Sequence, residues 1–84
     1  MPDKGVIGQI VRSVAGRDAK RVFAVVGIAD DTSVLVADGK LRKLASPKKK
    51  NLRHLRFTGV AADIDGADDW RLSEILKSYE DPQR

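Results

Sequence analysis

Ser33-Val34-Leu35-Val36-Ala37-Asp38-Gly39-Lys40-Leu41-Arg42-Lys43-Leu44 is the stretch on which the fold turns. Asp38-Gly39 tolerates positive φ and suits a two-residue type I′ turn, so residues 33–37 and 40–44 are expected to pair as a β-hairpin. That register sets Ala37 opposite Lys40, Val36 opposite Leu41, Leu35 opposite Arg42 and Val34 opposite Lys43. One face then carries Val34, Val36 and Leu41, and the other exposes Lys40 and Arg42 beside Leu35.

Upstream, Val6 to Arg12 is short and β-branched and ends at the turn-forming cluster Ala15-Gly16-Arg17-Asp18, which reads as a strand and a loop. Arg21 to Ile28, rich in valine with Phe23, reads as a second strand stopped at Asp30-Asp31, where short carboxylates can accept nearby backbone amides. Downstream, Pro47 lacks an amide donor, so Ser46 to Asn51 is expected to be a lysine-bearing loop, with Leu52 to Phe57 returning as a fifth strand. Five short strands at this spacing suggest a small closed or nearly closed barrel, since closure protects edges that so few residues could not otherwise cover.

After Gly59 the pattern changes. Val60 to Ala67 is a linker or a last edge strand, and Asp68 or Asp69 can cap a helix that follows. Leu72, Ile75, Leu76 and Tyr79 recur at the spacing of one apolar helical stripe, and Pro82 stops it. The division expected is a barrel over residues 1–60, then a linker and an acidic helix over 61–84 that docks on it.

Charge is segregated along this framework. Between Lys40 and Arg56 stand eight lysines and arginines and no acid. Residues 1–62 hold thirteen basic and five acidic side chains, whereas residues 63–84 hold three and seven. A net charge of +4 thus conceals a basic body and an acidic tail, which favours a polyanionic partner. Phe23 and Phe57 lie within apolar strands and read as core, so the barrel offers no stacking platform for bases and no groove for proline-rich peptides. Phosphate and sugar contacts to a folded RNA are the mode that remains, although a cationic edge attracts DNA as well.

Other classes are disfavoured. A domain of 84 residues buries only about 60–65% of its unfolded surface and has little room for an enclosed catalytic cleft. Without cysteine it has no thiolate nucleophile and no zinc ribbon, and lone His54 has no second soft ligand to complete a metal site. The longest apolar run, Val22 to Ala29, is far short of the roughly 20 residues of a membrane helix. The expectation is a cytoplasmic, non-catalytic protein with no cofactor, no small-molecule substrate and no membrane partner, monomeric when free.

The stretch Gly8-Gln9-Ile10-Val11-Arg12-Ser13-Val14-Ala15-Gly16-Arg17-Asp18-Ala19-Lys20-Arg21-Val22-Phe23-Ala24-Val25-Val26 resembles the KOW motif. With residues 34–43 and Pro47-Lys48-Lys49-Lys50 it is similar to small bacterial KOW-domain RNA-binding proteins, akin to KOW-bearing large-subunit ribosomal proteins of archaea and eukaryotes. The resemblance spans residues 6–57. It implies an SH3-like barrel, mainly β with a C-terminal helix, and structured RNA, ribosomal above all, as ligand. By position it puts Ser13, Gly16, Arg17 and Asp18 in the loop between the first two strands, with Arg12 and Arg21 flanking it. Many KOW loops carry a second glycine where this chain has Lys20; the lysine either adds a phosphate contact or signals a different loop geometry.

The expected RNA-binding set is therefore Arg12, Ser13, Gly16, Arg17, Lys20, Arg21, Lys40, Arg42, Lys43, Lys48, Lys49, Lys50 and Arg53. The alternative is an adaptor that recruits a protein through the helix stripe, with general nucleic-acid affinity from the basic edge.

Overall fold

Val22 to Val25, the first half of the valine-rich run, is buried on both of its faces, and the rest of the fold is arranged around it. The computed structural model describes residues 4–16 and 19–79. It has five strands: β1 (Gln9–Ser13), β2 (Val22–Asp30), β3 (Ser33–Ala37), β4 (Lys48–Asn51) and β5 (Leu55–Ala61). One helix follows, α1 (Asp69–Lys77). The strands form a single antiparallel sheet in the order β4-β3-β2-β1-β5.

The sheet is curled. β4 and β5 sit at opposite edges, which would lie about 19 Å apart if the sheet were flat. Yet only a 3₁₀ turn, Leu52–His54, joins them, and its tight rise spans about 8 Å from Asn51 to Leu55. Leu52 N donates to Thr32 O at 2.8 Å and Val14 N to His54 O at 2.9 Å, so the turn is stitched to both sides of the sheet. No ladder joins β4 to β5 among the described residues. Four of the expected strands and the helix are present; the remaining strand lies at Lys48–Asn51 rather than at residues 40–44, and closure by strand pairing is absent among the described residues.

Period-two alternation sorts the apolar side chains into two cores. On the concave side, Val11, Phe23, Val25, Val34, Val36 and Leu55 pack together. On the other, Ile10, Val22, Ala24 and Ala37 meet Leu72 and Leu76 of α1, with Ile75 and Tyr79 beside them. The helix stripe read from the sequence thus faces the sheet, and burying Leu72 and Leu76 contributes about 1.5–3 kcal/mol each before entropy is subtracted. Of the two possible caps, Asp68 serves: its carboxylate accepts Arg71 N at 2.8 Å.

The hairpin expected around Asp38-Gly39 does not form. β3 pairs instead with β4, setting Val36 opposite Lys48, Leu35 opposite Lys49, Val34 opposite Lys50 and Ser33 opposite Asn51. The expected lysine loop is therefore a strand, and Pro47 stands just before it, where its missing donor costs no ladder bond. The reason lies at Asp38. Its carboxylate accepts both Lys40 N and Arg42 N at 2.9 Å, so the backbone beyond the turn is bonded locally and cannot continue the ladder. Leu41, assigned to the buried face, is instead 65% exposed.

Gly39 answers to tertiary packing as well as to the turn. At φ +80°, a Cβ there would lie 2.1 Å from Asp69 O and 3.0 Å from Ser73 N, so the loop backbone rests directly on the first turn of α1. Asp69 completes the junction by accepting Leu44 N at 2.7 Å. The fifth strand also differs from expectation. It starts at Leu55 rather than Leu52 and runs to Ala61, so the stretch after Gly59, left open between linker and edge strand, begins as edge strand.

Candidate nucleic-acid interface

The loop between β1 and β2 is held by its two ends. Ser13 N donates to Arg21 O at 2.9 Å and Lys20 N to Ser13 O at 2.8 Å, while Ala19 N reaches Gly16 O at 3.2 Å. Gly16 takes φ +73°, and so does Lys20, the one non-glycine residue with positive φ among those described. The position at which KOW loops carry a second glycine thus keeps the left-handed backbone glycine would adopt, with a lysine side chain added. Holding a non-glycine residue there costs roughly 1–2 kcal/mol. Arg17 and Asp18 fall outside the described residues, so the expected Arg17 contact has no structural account.

Arg12 and Ser13 serve the fold. The Arg12 guanidinium donates to Lys20 O at 3.3 Å and to Tyr79 O at 3.1 Å, tying the loop to the end of the helical segment, where a cation also suits the dipole. Ser13 is 1% exposed; its hydroxyl donates to Ala15 O at 3.2 Å and accepts from Lys50 Nζ at 3.1 Å.

The three consecutive lysines of β4 separate by strand alternation. Lys50 lies opposite Val34 on the concave side and is 8% exposed, with its ammonium drawn under the β1 end. Lys48, on the same side, is half-buried. Lys49 points outward and pairs with Asp30 at 3.1 Å. Thr32 N donates to Asp30 Oδ1 at 3.0 Å and Thr32 Oγ1 at 3.3 Å. These donors, the Thr32 amide first and Lys49 next, lower the Asp30 pKa from 3.8 to about 2. The picture of a flexible cationic loop at residues 48–50 is therefore corrected to one outward, already paired cation, one half-buried and one buried.

What remains are cations with no acidic partner among the described residues: Lys20, Lys40, Arg42, Lys43, Arg53, Arg56 and Arg71. Arg42 is half-buried and the rest are exposed, as is Arg21. Arg71 lies on α1, and the other six fall into two groups. Lys20 and Arg56 line, with Arg12, Ser13, Val14 and Ala19, a shallow hollow of about 370 Å³ at the β1–β2 loop, and Arg53 is close in sequence to Arg56. Lys40, Arg42 and Lys43 ride on the loop seated against the start of α1. Tyr79 marks one end of that helical segment and Asp69 the other, which separates the groups by about 15 Å.

Arg56 was absent from the expected set. Its signal was there in the sequence, as the last member of the acid-free run, but its place opposite Arg12 depends on the β1–β5 register. Among the described residues no helix is long and apolar enough to cross a membrane.

A curled antiparallel sheet with one helix on its convex side and two unneutralised cationic clusters defines a small basic β-sheet module. No family model matches the chain. Curated relatives do. It is 38% identical over 73 residues to the large ribosomal subunit protein eL14 of Desulfurococcus amylolyticus, covering 86% of this chain and 73% of that one. Against eL14 of Pyrobaculum islandicum the identity is 35% over 75 residues, 88% of this chain and 70% of the relative. A protein of Bacillus subtilis named "Putative ribosome-binding protein YbzG" is 44% identical over 50 residues, 60% of this chain and 68% of the relative. The chain belongs to the family of ribosomal protein eL14, and the non-catalytic reading of its sequence stands with these relatives.

Proposed function

We propose that this protein is a non-catalytic, cytoplasmic RNA-binding protein that associates with the ribosome and binds ribosomal RNA through the β1–β2 loop and its two cationic clusters. In this reading the curled sheet is an SH3-like KOW barrel, and the protein is a monomer when free. The observation that carries it is the membership of a ribosomal-protein family by a chain whose exposed cations Lys20, Arg53, Arg56, Lys40 and Lys43 have no acidic partner among the described residues. Cations left without carboxylates keep their charge for phosphate, and arginines among them can take phosphate oxygens two at a time.

The adaptor reading loses its main support because Leu72 and Leu76, the centre of the stripe it needed, are 0% and 1% exposed against the sheet. Sedimentation with ribosomes before and after nuclease treatment tests the proposal, together with the salt dependence of binding to ribosomal RNA. Four to six phosphates engaged give a slope of log affinity on log salt of roughly −3 to −5. Co-sedimentation that survives complete RNA digestion, with a slope near zero, would refute it.

A further inference from the structure

Trp70, the chain's one tryptophan, follows directly after the first residue of α1, and its side chain is left 68% exposed although the helix has a buried face available. At 100° per residue Trp70 stands about 60° round the helix from Ser73 and about 100° from Asp69, away from Leu72 and Leu76. Asp69 and Ser73 are the residues on which the Gly39 loop is seated. Trp70 therefore stands on the helix surface beside the part on which the loop carrying Lys40, Leu41, Arg42 and Lys43 is seated, and Leu41 is likewise 65% exposed. Trp70 and Leu41 are thus two large apolar residues left to water, one on the first turn of α1 and one on the loop seated against that turn.

Charge selects the occupant. The acids at this junction are held away from the loop's cations: backbone amides orient Asp38 (Lys40 and Arg42), Asp68 (Arg71) and Asp69 (Leu44) without removing their charge, and Glu74 pairs with Lys77 at 3.2 Å. Lys40, Arg42 and Lys43 have no such partner among the described residues. A planar aromatic beside free cations matches a nucleobase with its phosphates, because every base offers a π-face and stacking is sequence-tolerant. We propose that Trp70, with Leu41, Lys40, Arg42 and Lys43, forms a stacking site for an unpaired base of RNA at the end of the helix distant from the β1–β2 loop. The site rests on the RNA-binding reading above and adds a second mode of contact to it, base stacking beside phosphate neutralisation.

Because this tryptophan is unique in the chain, its fluorescence reports the site directly. The probe is a twelve-nucleotide oligouridylate, whose bases are unpaired, with inorganic tripolyphosphate as an anion that has no base. Oligouridylate should quench the indole to saturation, and tripolyphosphate should not. Trp70→Ala should weaken oligouridylate binding roughly 5- to 150-fold, and Trp70→Phe should keep most of the affinity. Circular dichroism checks that both variants fold, which an exposed position permits. Unchanged indole emission on binding, or equal affinity in Trp70→Ala, would overturn the stacking site. If ribosomal RNA still binds with the steep salt slope, that failure belongs to the stacking site alone; if no RNA binds, both proposals fall. Oligouridylate binding unchanged in Trp70→Ala, with ribosome association lost, would assign the indole to a protein surface and equally overturn it.

Discussion

Lys20 holds two roles that pull in opposite directions. Its left-handed backbone at φ +73° closes the β1–β2 loop, and its side chain puts an unneutralised cation on the rim of the Arg12–Arg56 hollow. Lys20→Gly removes the steric cost but adds the entropy of glycine in the unfolded chain, so the fold should gain up to about 1 kcal/mol in denaturant unfolding. The same variant should bind ribosomal RNA with a salt slope shallower by about 0.7–0.9, the loss of one phosphate contact. Greater stability with unchanged slope would mean that the ammonium touches no phosphate. Asp30 provides a second test at this scale. Its pKa is lowered in the fold to about 2, so its contribution to stability is present above the unfolded value of 3.8 and is lost as pH falls through about 2. A carboxyl titration followed by NMR should place its midpoint near 2. Lys49→Met should raise that midpoint only partway, because the Thr32 amide is the larger cause.

Among the elements, β4 departs most from the usual chemistry of a strand. Three lysines occupy it, a residue type depleted in sheets, and they are tolerated because alternation sends them to different surroundings. Lys49 is an outward member of a solvent-exposed ion pair, and Lys49→Ala should change stability by less than about 1 kcal/mol. Lys50 packs its stem beside the concave core and donates to Ser13, so Lys50→Ala removes both packing and a charged hydrogen bond and should cost about 1–3 kcal/mol. Thermal unfolding of the two single variants, side by side, reads the difference. Equal effects would mean that burial does not distinguish them. One consequence reaches binding studies: exchanging all three lysines for alanine perturbs the fold and is not a clean probe of RNA affinity.

At the scale of the whole molecule, α1 works as a lid over one face of the sheet and as a tie between the two cationic clusters. Ile10, Val22, Ala24 and Ala37 would meet water without it, Arg12 would lose its bond to Tyr79, and the Gly39 loop would lose its seat. Removing residues 68–84 should therefore lower stability by an amount on the order of a few kcal/mol, which is a large share for a domain of this size. The deletion also takes away Trp70. The truncated chain, where it remains folded by circular dichroism, should keep the steep salt dependence of its phosphate contacts. An unchanged melting midpoint would contradict the packing of the stripe.

The sequence by itself determined β1, β2, β3, β5 and α1, because each announces itself locally, as β-branched runs between turn residues or as an apolar stripe at helical spacing after an acidic cap. The strand it expected at residues 40–44 is a loop, and the lysine strand β4 had no such signal. It also determined that the protein is basic over its body and acidic over its tail, and the residues resembling the KOW motif pointed to the ribosomal family. Tertiary structure alone decided the partner of β3. Asp38-Gly39 is an ordinary hairpin signal; the Asp38 carboxylate holding the Lys40 and Arg42 amides, together with the seating of Gly39 against Asp69 and Ser73, a contact thirty or more residues away in the chain, keeps the loop a loop while the lysines become a strand. It likewise decided which cations are free. Arg12, Lys49 and Lys50 look like Lys40, Lys43 and Arg56 in a list of charges, but a partner's distance and a side chain's face depend on register and packing. A one-dimensional pattern has no access to those, since they are set by which strands happen to meet.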